Sequence, residues 1–280
     1  MVPVVTAASL VVGTVRVAVN HQFQHSLFNA IGIPMASQFD RDYYRMSAKQ
    51  GLEYILALKP EGKVTIKSNY SLNTPKMGLP TADAERITLR GGERPAEYYI
   101  EMFRDYAGNE PQVPGYTEIH AIWVDGYKIA SILINDVLYD YQQTGVMEVP
   151  ASYFFSNNEN VYAPQFADVR ASKGVEGYML FGPYFALDAG SHTLDIDLDL
   201  KAYMHSNPNI GAIDIAGKSG SEVYAAQPFT AADFDAEGRL HITLPFTLPD
   251  QVYDLEIRVY NFRGVWLDAE SPVTVTKTAG

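Results

Sequence analysis

Six residues in the second half of this chain have side chains suited to gripping a sugar: Tyr178, Tyr184, Arg258, Tyr260, Arg263 and Trp266. An aromatic ring stacks on the C–H face of a pyranose, while neighbouring polar groups read its hydroxyls. Tyr203 and Tyr224 belong to the same pool. The same rings also serve as half-buried strand residues, so their chemistry depends on which way each strand faces.

Other constellations have simpler explanations. GAIDIAGKS (211–219) looks like a phosphate loop, but five residues rather than four separate Gly211 from Gly217. Its flanks read as β on both sides, which leaves no helix N-terminus for a phosphate. We read it as a strand followed by a glycine-rich turn. Asp195, Asp197 and Asp199 alternate along one strand face, about 6–7 Å apart. That spacing is too wide for one calcium ion unless a loop bends them together. A solvated face, whose repulsion guards an edge strand, accounts for them.

The six histidines are His21, His25, His120, His192, His205 and His241. His21 and His25, four apart, would suit a metal on a helix, but no third ligand accompanies them. Neither HExxH nor G-x-S-x-G occurs, and no nucleophile has a readable activating base. With 33 acidic residues in the chain, a pair of carboxylates carries no information about glycoside hydrolysis. No catalytic residue, metal ligand or cofactor is therefore assigned.

The elements that position these groups fall into two halves. Residues 40–58 carry a helical stripe of Leu52, Ile55, Leu56 and Leu58, with Asp40 as the expected N-cap. Strands are expected at 63–69, 85–92 and 97–103, with a loop over 70–85. A hairpin spans 116–134, joined by Asp125-Gly126, the dipeptide that a type I′ turn favours. The first half is thus an α+β layer, a helix on a small sheet.

After Asn135 short β runs recur between turn clusters, as a sandwich or jelly roll requires. HTLDIDLDL shows the alternation most clearly, with Leu194, Ile196, Leu198 and Leu200 on one face. The expected organisation is an apolar lead-in (1–19), an α+β domain (20–135), a linker (136–150) and a β-sandwich (151–280).

Composition bounds the function. At 280 residues, 47% hydrophobic and 19% charged, the chain is globular in character. A net charge of −12 disfavours nucleic-acid binding and gives no help on anionic lipid. The absence of cysteine removes disulfides and thiolate chemistry, and fits either the cytoplasm or a bacterial periplasm. The first 20 residues are apolar apart from Arg16 and lack a basic leader. They read either as a buried element or as the end of a membrane helix.

The passage after that run resembles a known family. HQFQHSLFN, followed by DRDYYRMSAKQGLEYI, resembles a passage in bacterial membrane glycosyltransferases of the protein O-mannosyltransferase type. The matching positions are His21, Phe23, Gln24, Phe28, Asn29, Asp40, Asp42, Tyr43, Tyr44, Ser47, Lys49 and Gly51. RPAEYYI (94–100) and the 116–133 hairpin extend the resemblance, in order, over about 20–134. In that family the passage follows the last membrane helix and opens the extracytoplasmic region. The second half, with FGPYFALDAGSHTLDIDL and LEIRVYNFRGVWL, resembles jelly-roll modules of polysaccharide-assembly enzymes, which are thought to contact glycans.

The resemblance implies a non-catalytic, extracytoplasmic part of a membrane-tethered transferase. Residues 1–19 would be the stub of its last membrane helix. Its parent would use a lipid-phosphate sugar donor, and its partner would be a glycan or polysaccharide acceptor. A free-standing carbohydrate-binding protein is the alternative reading, and a soluble hydrolase with an unrecognised site is a third.

Overall fold

A computed structural model describes residues 2–19, 35, 41–42, 45–92, 95–104, 112–156, 169–172, 174–204 and 208–278. His21, His25, His205, Phe23, Gln24, Phe28, Asn29, Asp40, Tyr43 and Tyr44 lie outside the described residues. The chain divides into two units, residues 1–91 with 98–135, and residues 92–97 with 136–280.

The first unit holds helices α1 (Val2–Val19), α2 (Ser47–Leu58), α3 (Asn73–Met77) and α4 (Thr81–Arg86). Its strands are β1 (Val64–Ser68), β2 (Ile87–Leu89), β3 (Tyr98–Met102), β4 (Tyr116–Val124) and β5 (Tyr127–Asn135). They form one mixed sheet in the order β2-β1-β3-β5-β4. β1 runs parallel to both its neighbours, and β5 is antiparallel to β3 and β4. The expected hairpin is β4–β5. Asp125 and Gly126 both take positive φ, +50° and +82°, as a type I′ turn demands.

The helix expected over 40–58 begins at Ser47 instead. Asp42, fully buried, explains the late start. Its carboxylate accepts from the Met46 N–H at 2.8 Å, the Ser47 N–H at 3.2 Å and the Ser47 hydroxyl. An upstream side chain therefore satisfies donors that a residue at the N-cap would normally serve. Leu52, Ile55 and Leu56 are buried as the stripe requires, while Leu58 is exposed. Asp42→Ala leaves these donors without the carboxylate. It should lower the first unit's stability by about 2 kcal/mol, read as an earlier urea midpoint in Trp123 fluorescence.

The stretch 70–85, expected as a loop, contains α3 and α4. Neither helix buries a side chain, so the apolar periodicity that marks a helix in sequence is missing from both. α1 is unusual in the opposite sense. Leu10, Val11, Val12, Val15, Val17 and Val19 are all exposed, and Arg16 pairs with Asp125. Among the described residues no helix is long and apolar enough to cross a membrane.

The second unit is a β-sandwich. The stretch expected as a linker (136–150) is instead α5 (Asp136–Thr144) followed by β6 (Val146–Val149). Val137, Leu138 and Tyr141 of α5 are buried. Gly145, at φ +74°, stops the helix by donating its N–H to the Tyr141 carbonyl at 2.8 Å. Its apolar set spans barely one turn, too short to mark a helix in the sequence.

The remaining strands are β7 (Val169–Ala171), β8 (Gly177–Leu187), β9 (Gly190–Tyr203), β10 (Asn209–Gly217) and β11 (Glu222–Thr230). β12 (Arg239–Leu248), β13 (Val252–Asn261), β14 (Val265–Glu270) and β15 (Val273–Lys277) complete them. One sheet has the order β11-β10-β13-β8. The other is centred on β9, which pairs with β12 along one edge. Along its other edge β9 pairs with β15 and then β14, which in turn pair with β6 and β7. Leu194, Ile196 and Leu198 of β9 are buried, as are Ile213 and Ile215 of β10 and Leu255, Ile257 and Val259 of β13. Each such side chain removed from water contributes about 1.5–3 kcal/mol.

Candidate functional site

The alternation that sends Leu255, Ile257 and Val259 into the core must turn Glu256, Arg258 and Tyr260 outward. The same rule turns Asp214 outward between Ile213 and Ile215. Strand pairing then decides the neighbours. Arg258 lies opposite Asp214 on one side and Phe181 on the other, and Tyr260 lies opposite Ala212 and Tyr178.

The result is an aromatic and charged platform on the outer face of the four-stranded sheet. The Tyr178 and Tyr260 rings meet edge to face with centroids 5.3 Å apart. The Arg258 guanidinium sits 5.3 Å from the Tyr178 ring centroid. It grips Asp214 as a fork, donating from Nε at 2.5 Å and from Nη2 at 3.0 Å. The Tyr260 hydroxyl donates to Glu176 at 2.8 Å, and that bond, with burial, pushes its pKa up. Ala212 and Ala216, opposite Tyr260 and Glu256, supply small side chains beside these groups.

Glu256 is the least expected member. It is 8% exposed. Burial pushes its carboxyl above the usual carboxylate range, while Arg258 acts in the other direction. In the turn after β10, a Cβ on Gly220 would fall 2.8 Å from the Arg258 Nη1 and 3.5 Å from the Glu256 Oε1, so that turn passes close over both side chains.

Four of the six residues singled out in the sequence share this sheet. Tyr178, Arg258 and Tyr260 are contiguous on it. Tyr184 stands further along β8, its ring 6.3 Å from Phe181 and 5.9 Å from Phe155. Trp266 belongs to β14 on the other sheet, where its indole covers Gly174. Arg263 is exposed in the turn between β13 and β14. Sequence reasoning passed over Asp214, Glu256 and Phe181. The in–out alternation of AIDIA and LEIRVY marks the first two as outward-facing, but their partnership needs the register.

The aspartate row of β9 faces out on the other sheet. Asp195, Asp197 and Asp199 lie opposite Thr243, His241 and Arg239 of β12. The His241 Nδ1 is 2.8 Å from Asp197, and the Thr243 hydroxyl donates to Asp195 at 2.7 Å. Among the described residues no group of three or more His, Asp or Glu is arranged to hold a metal ion.

Two histidines should titrate in opposite directions. The hydrogen bond to Asp197 raises the His241 pKa above the ordinary imidazole value, with Asp195 adding to it. His192 is buried, its Nδ1 bonded to the Gly190 carbonyl and its Nε2 to the Tyr141 hydroxyl, and burial lowers its pKa. NMR titration of the imidazole protons should place His241 above about 6.5 and His192 below it. A base with a depressed native pKa takes up its proton more readily when unfolded. The neutral His192 therefore favours the fold above about pH 6.5, and that contribution is lost as the pH falls further.

No protein-family model matches the chain, and no curated protein does. Among solved structures, the C-terminal CBM6 of LamC, a marine laminarinase from Zobellia galactanivorans, is 11% identical. It covers 47% of this chain and 99% of its own, with a TM-score of 0.35. The carbohydrate-binding module CBM6cm-2 from Cellvibrio mixtus lichenase 5A, in complex with cellotriose, is 10% identical. It covers 47% of this chain and 97% of its own, with a TM-score of 0.34. A family 29 carbohydrate-binding module is 7% identical over 47% of this chain and 91% of its own, with a TM-score of 0.32. These three structures are carbohydrate-binding modules, each aligned over about half of this chain.

Proposed function

We propose that the second unit binds a neutral polysaccharide on the outer face of its four-stranded sheet. We propose further that it does so as the extracytoplasmic, membrane-tethered part of a glycosyltransferase. The observation that carries the binding reading is the Tyr178–Tyr260 pair beside the Arg258–Asp214 fork. The rings offer faces for sugar C–H groups, and the fork, Glu176 and Glu256 offer hydroxyl partners. Three carboxylates against one guanidinium favour an uncharged sugar over an acidic one.

The tether rests on α1. A helix that is apolar on its exposed sides is at home in hydrocarbon or under another apolar surface. The ordered resemblance over 20–134 supplies the rest. A free-standing sugar-binding protein is the second reading, favoured by the platform lying wholly within one unit.

Calorimetric titration of the full chain with neutral oligosaccharides tests the binding. Tyr260→Ala should weaken it about tenfold or more, as the loss of a buried stacking contact does. Trp266→Ala, on the other sheet, should leave it intact. No heat with any neutral glycan, or loss of binding through Trp266 alone, would sink the reading. Partition into phosphatidylcholine vesicles, abolished by Val11→Asp with Val15→Asp, supports the tether. A chain that stays in the buffer supports the free-standing form.

A further inference from the structure

The platform has one member whose chemistry is unfinished. Glu256 is only 8% exposed, and among the described residues its carboxylate accepts no hydrogen bond. The cations beside it are committed elsewhere. Arg258 forks onto Asp214 and turns its Nη1 to the Gly220 carbonyl at 3.4 Å. Lys218 holds Glu222 at 2.5 Å. A buried carboxylate in this state is costly until a positive group or a proton joins it. Its pKa shows the strain: burial raises it, Arg258 opposes, and Asp254 and Asp214 raise it further.

The turn after β10 leaves room for a small positive group. Lys218, Ser219 and Gly220 take φ of +52°, +59° and +78° in succession. Asp254 fixes that turn, accepting from the Lys218 N–H at 2.9 Å and the Ser219 N–H at 2.7 Å. A Cβ on Gly220 would lie 3.5 and 3.9 Å from the two Glu256 oxygens. Both oxygens therefore face the gap that this glycine keeps open. Ala216, opposite Glu256 on β10, adds little bulk.

Charge around the gap is one-sided. Asp214, Asp254 and Glu256 stand against the single guanidinium of Arg258. The tyrosine faces of the platform attract cations as well, and Tyr178 already receives Arg258 at 5.3 Å.

We propose that the gap at Glu256 takes a primary ammonium group carried by the bound glycan. The preferred ligand is then an otherwise uncharged chain bearing a free amino sugar. This deepens the glycan reading and rests on it. An ammonium is compact and brings three donors, enough for both Glu256 oxygens at once. An acetamido group on the same sugar has lost both the charge and the compactness.

Calorimetry of the full chain with the tetramers of glucosamine, N-acetylglucosamine and glucose tests this. The pH is one that keeps the free amine protonated. The glucosamine tetramer should bind about tenfold more tightly than the other two, the worth of one charge-assisted contact. Glu256→Gln, which keeps the shape of the side chain, should erase that ratio. Its thermal midpoint, unchanged or raised by the loss of a buried charge, will show that it is folded. Glu237→Gln removes the same charge from an exposed turn and should keep the ratio. Tyr260→Ala should weaken all three tetramers and keep it too.

Equal affinity for the three tetramers overturns the proposal and leaves the platform reading standing. A glucosamine preference that survives in Glu256→Gln also overturns it, because the chain's net charge of −12 is then the attraction. Glucosamine binding lost in Glu256→Gln, with no heat from the glucose tetramer, upholds the ammonium site and sinks the neutral-glycan reading. Silence from all three sinks both.

Discussion

Phe185→Ala should destabilise the sandwich by about 3–5 kcal/mol, the largest effect expected of any single truncation in this chain. Phe185 is 1% exposed. It sits on β8 opposite Leu255, and its ring meets Tyr153 edge to face at 6.0 Å. Removing it deletes apolar area and leaves a cavity that Leu255, on a strand paired on both sides, cannot shift to fill. The measurement is urea unfolding followed by the fluorescence of Trp266, with Trp123→Phe as the parent so that the signal comes from the second unit alone. The midpoint should fall while the slope holds. A loss under about 1 kcal/mol would mean that the core relaxes around the gap.

Gly211→Ala comes next, at about 3 kcal/mol, for a single added methyl group. A Cβ at Gly211 would fall 2.3 Å from the Phe229 Cζ and 2.7 Å from the Tyr260 carbonyl oxygen. The phenyl ring could swing aside, but the carbonyl belongs to β13, paired directly with β10, and cannot move without breaking the ladder. Gly91→Ala is the control, because nothing lies within 4 Å of a Cβ there. It should leave stability unchanged or raise it slightly. Comparable thermal midpoints for the two variants would refute the account. Because the Tyr260 carbonyl carries the clash, Gly211→Ala should also weaken any ligand of the Tyr178–Tyr260 pair.

That glycine also shows why GAIDIAGKS resembles a phosphate loop without being one. Gly211 and Gly217 are small because Phe229 leans over the first and Val252 and Tyr224 crowd the second. Both lie within β10, where the residues between them alternate as the sequence reading held.

Local pattern sufficed wherever a residue's environment is set by its own strand or turn. The alternation of Leu194, Ile196 and Leu198, the Asp125-Gly126 turn and the Leu52–Ile55–Leu56 stripe all follow from chemistry within a few residues. It failed where that chemistry is weak or displaced. α3 and α4 bury nothing, α5 is little more than two turns, and the cap of α2 comes from Asp42, inside the expected helix but five residues before the first residue of the observed one.

The sequence alone determined the class of each half and which residues of a strand face outward, because the backbone's period settles both. Tertiary structure alone decided that Tyr178, Arg258, Tyr260 and Asp214 stand together while Trp266 stands on the other sheet. Pairing between β8, β10 and β13 joins segments far apart in the chain. The register of such pairs depends on how whole sheets bury their apolar faces, which no local window contains.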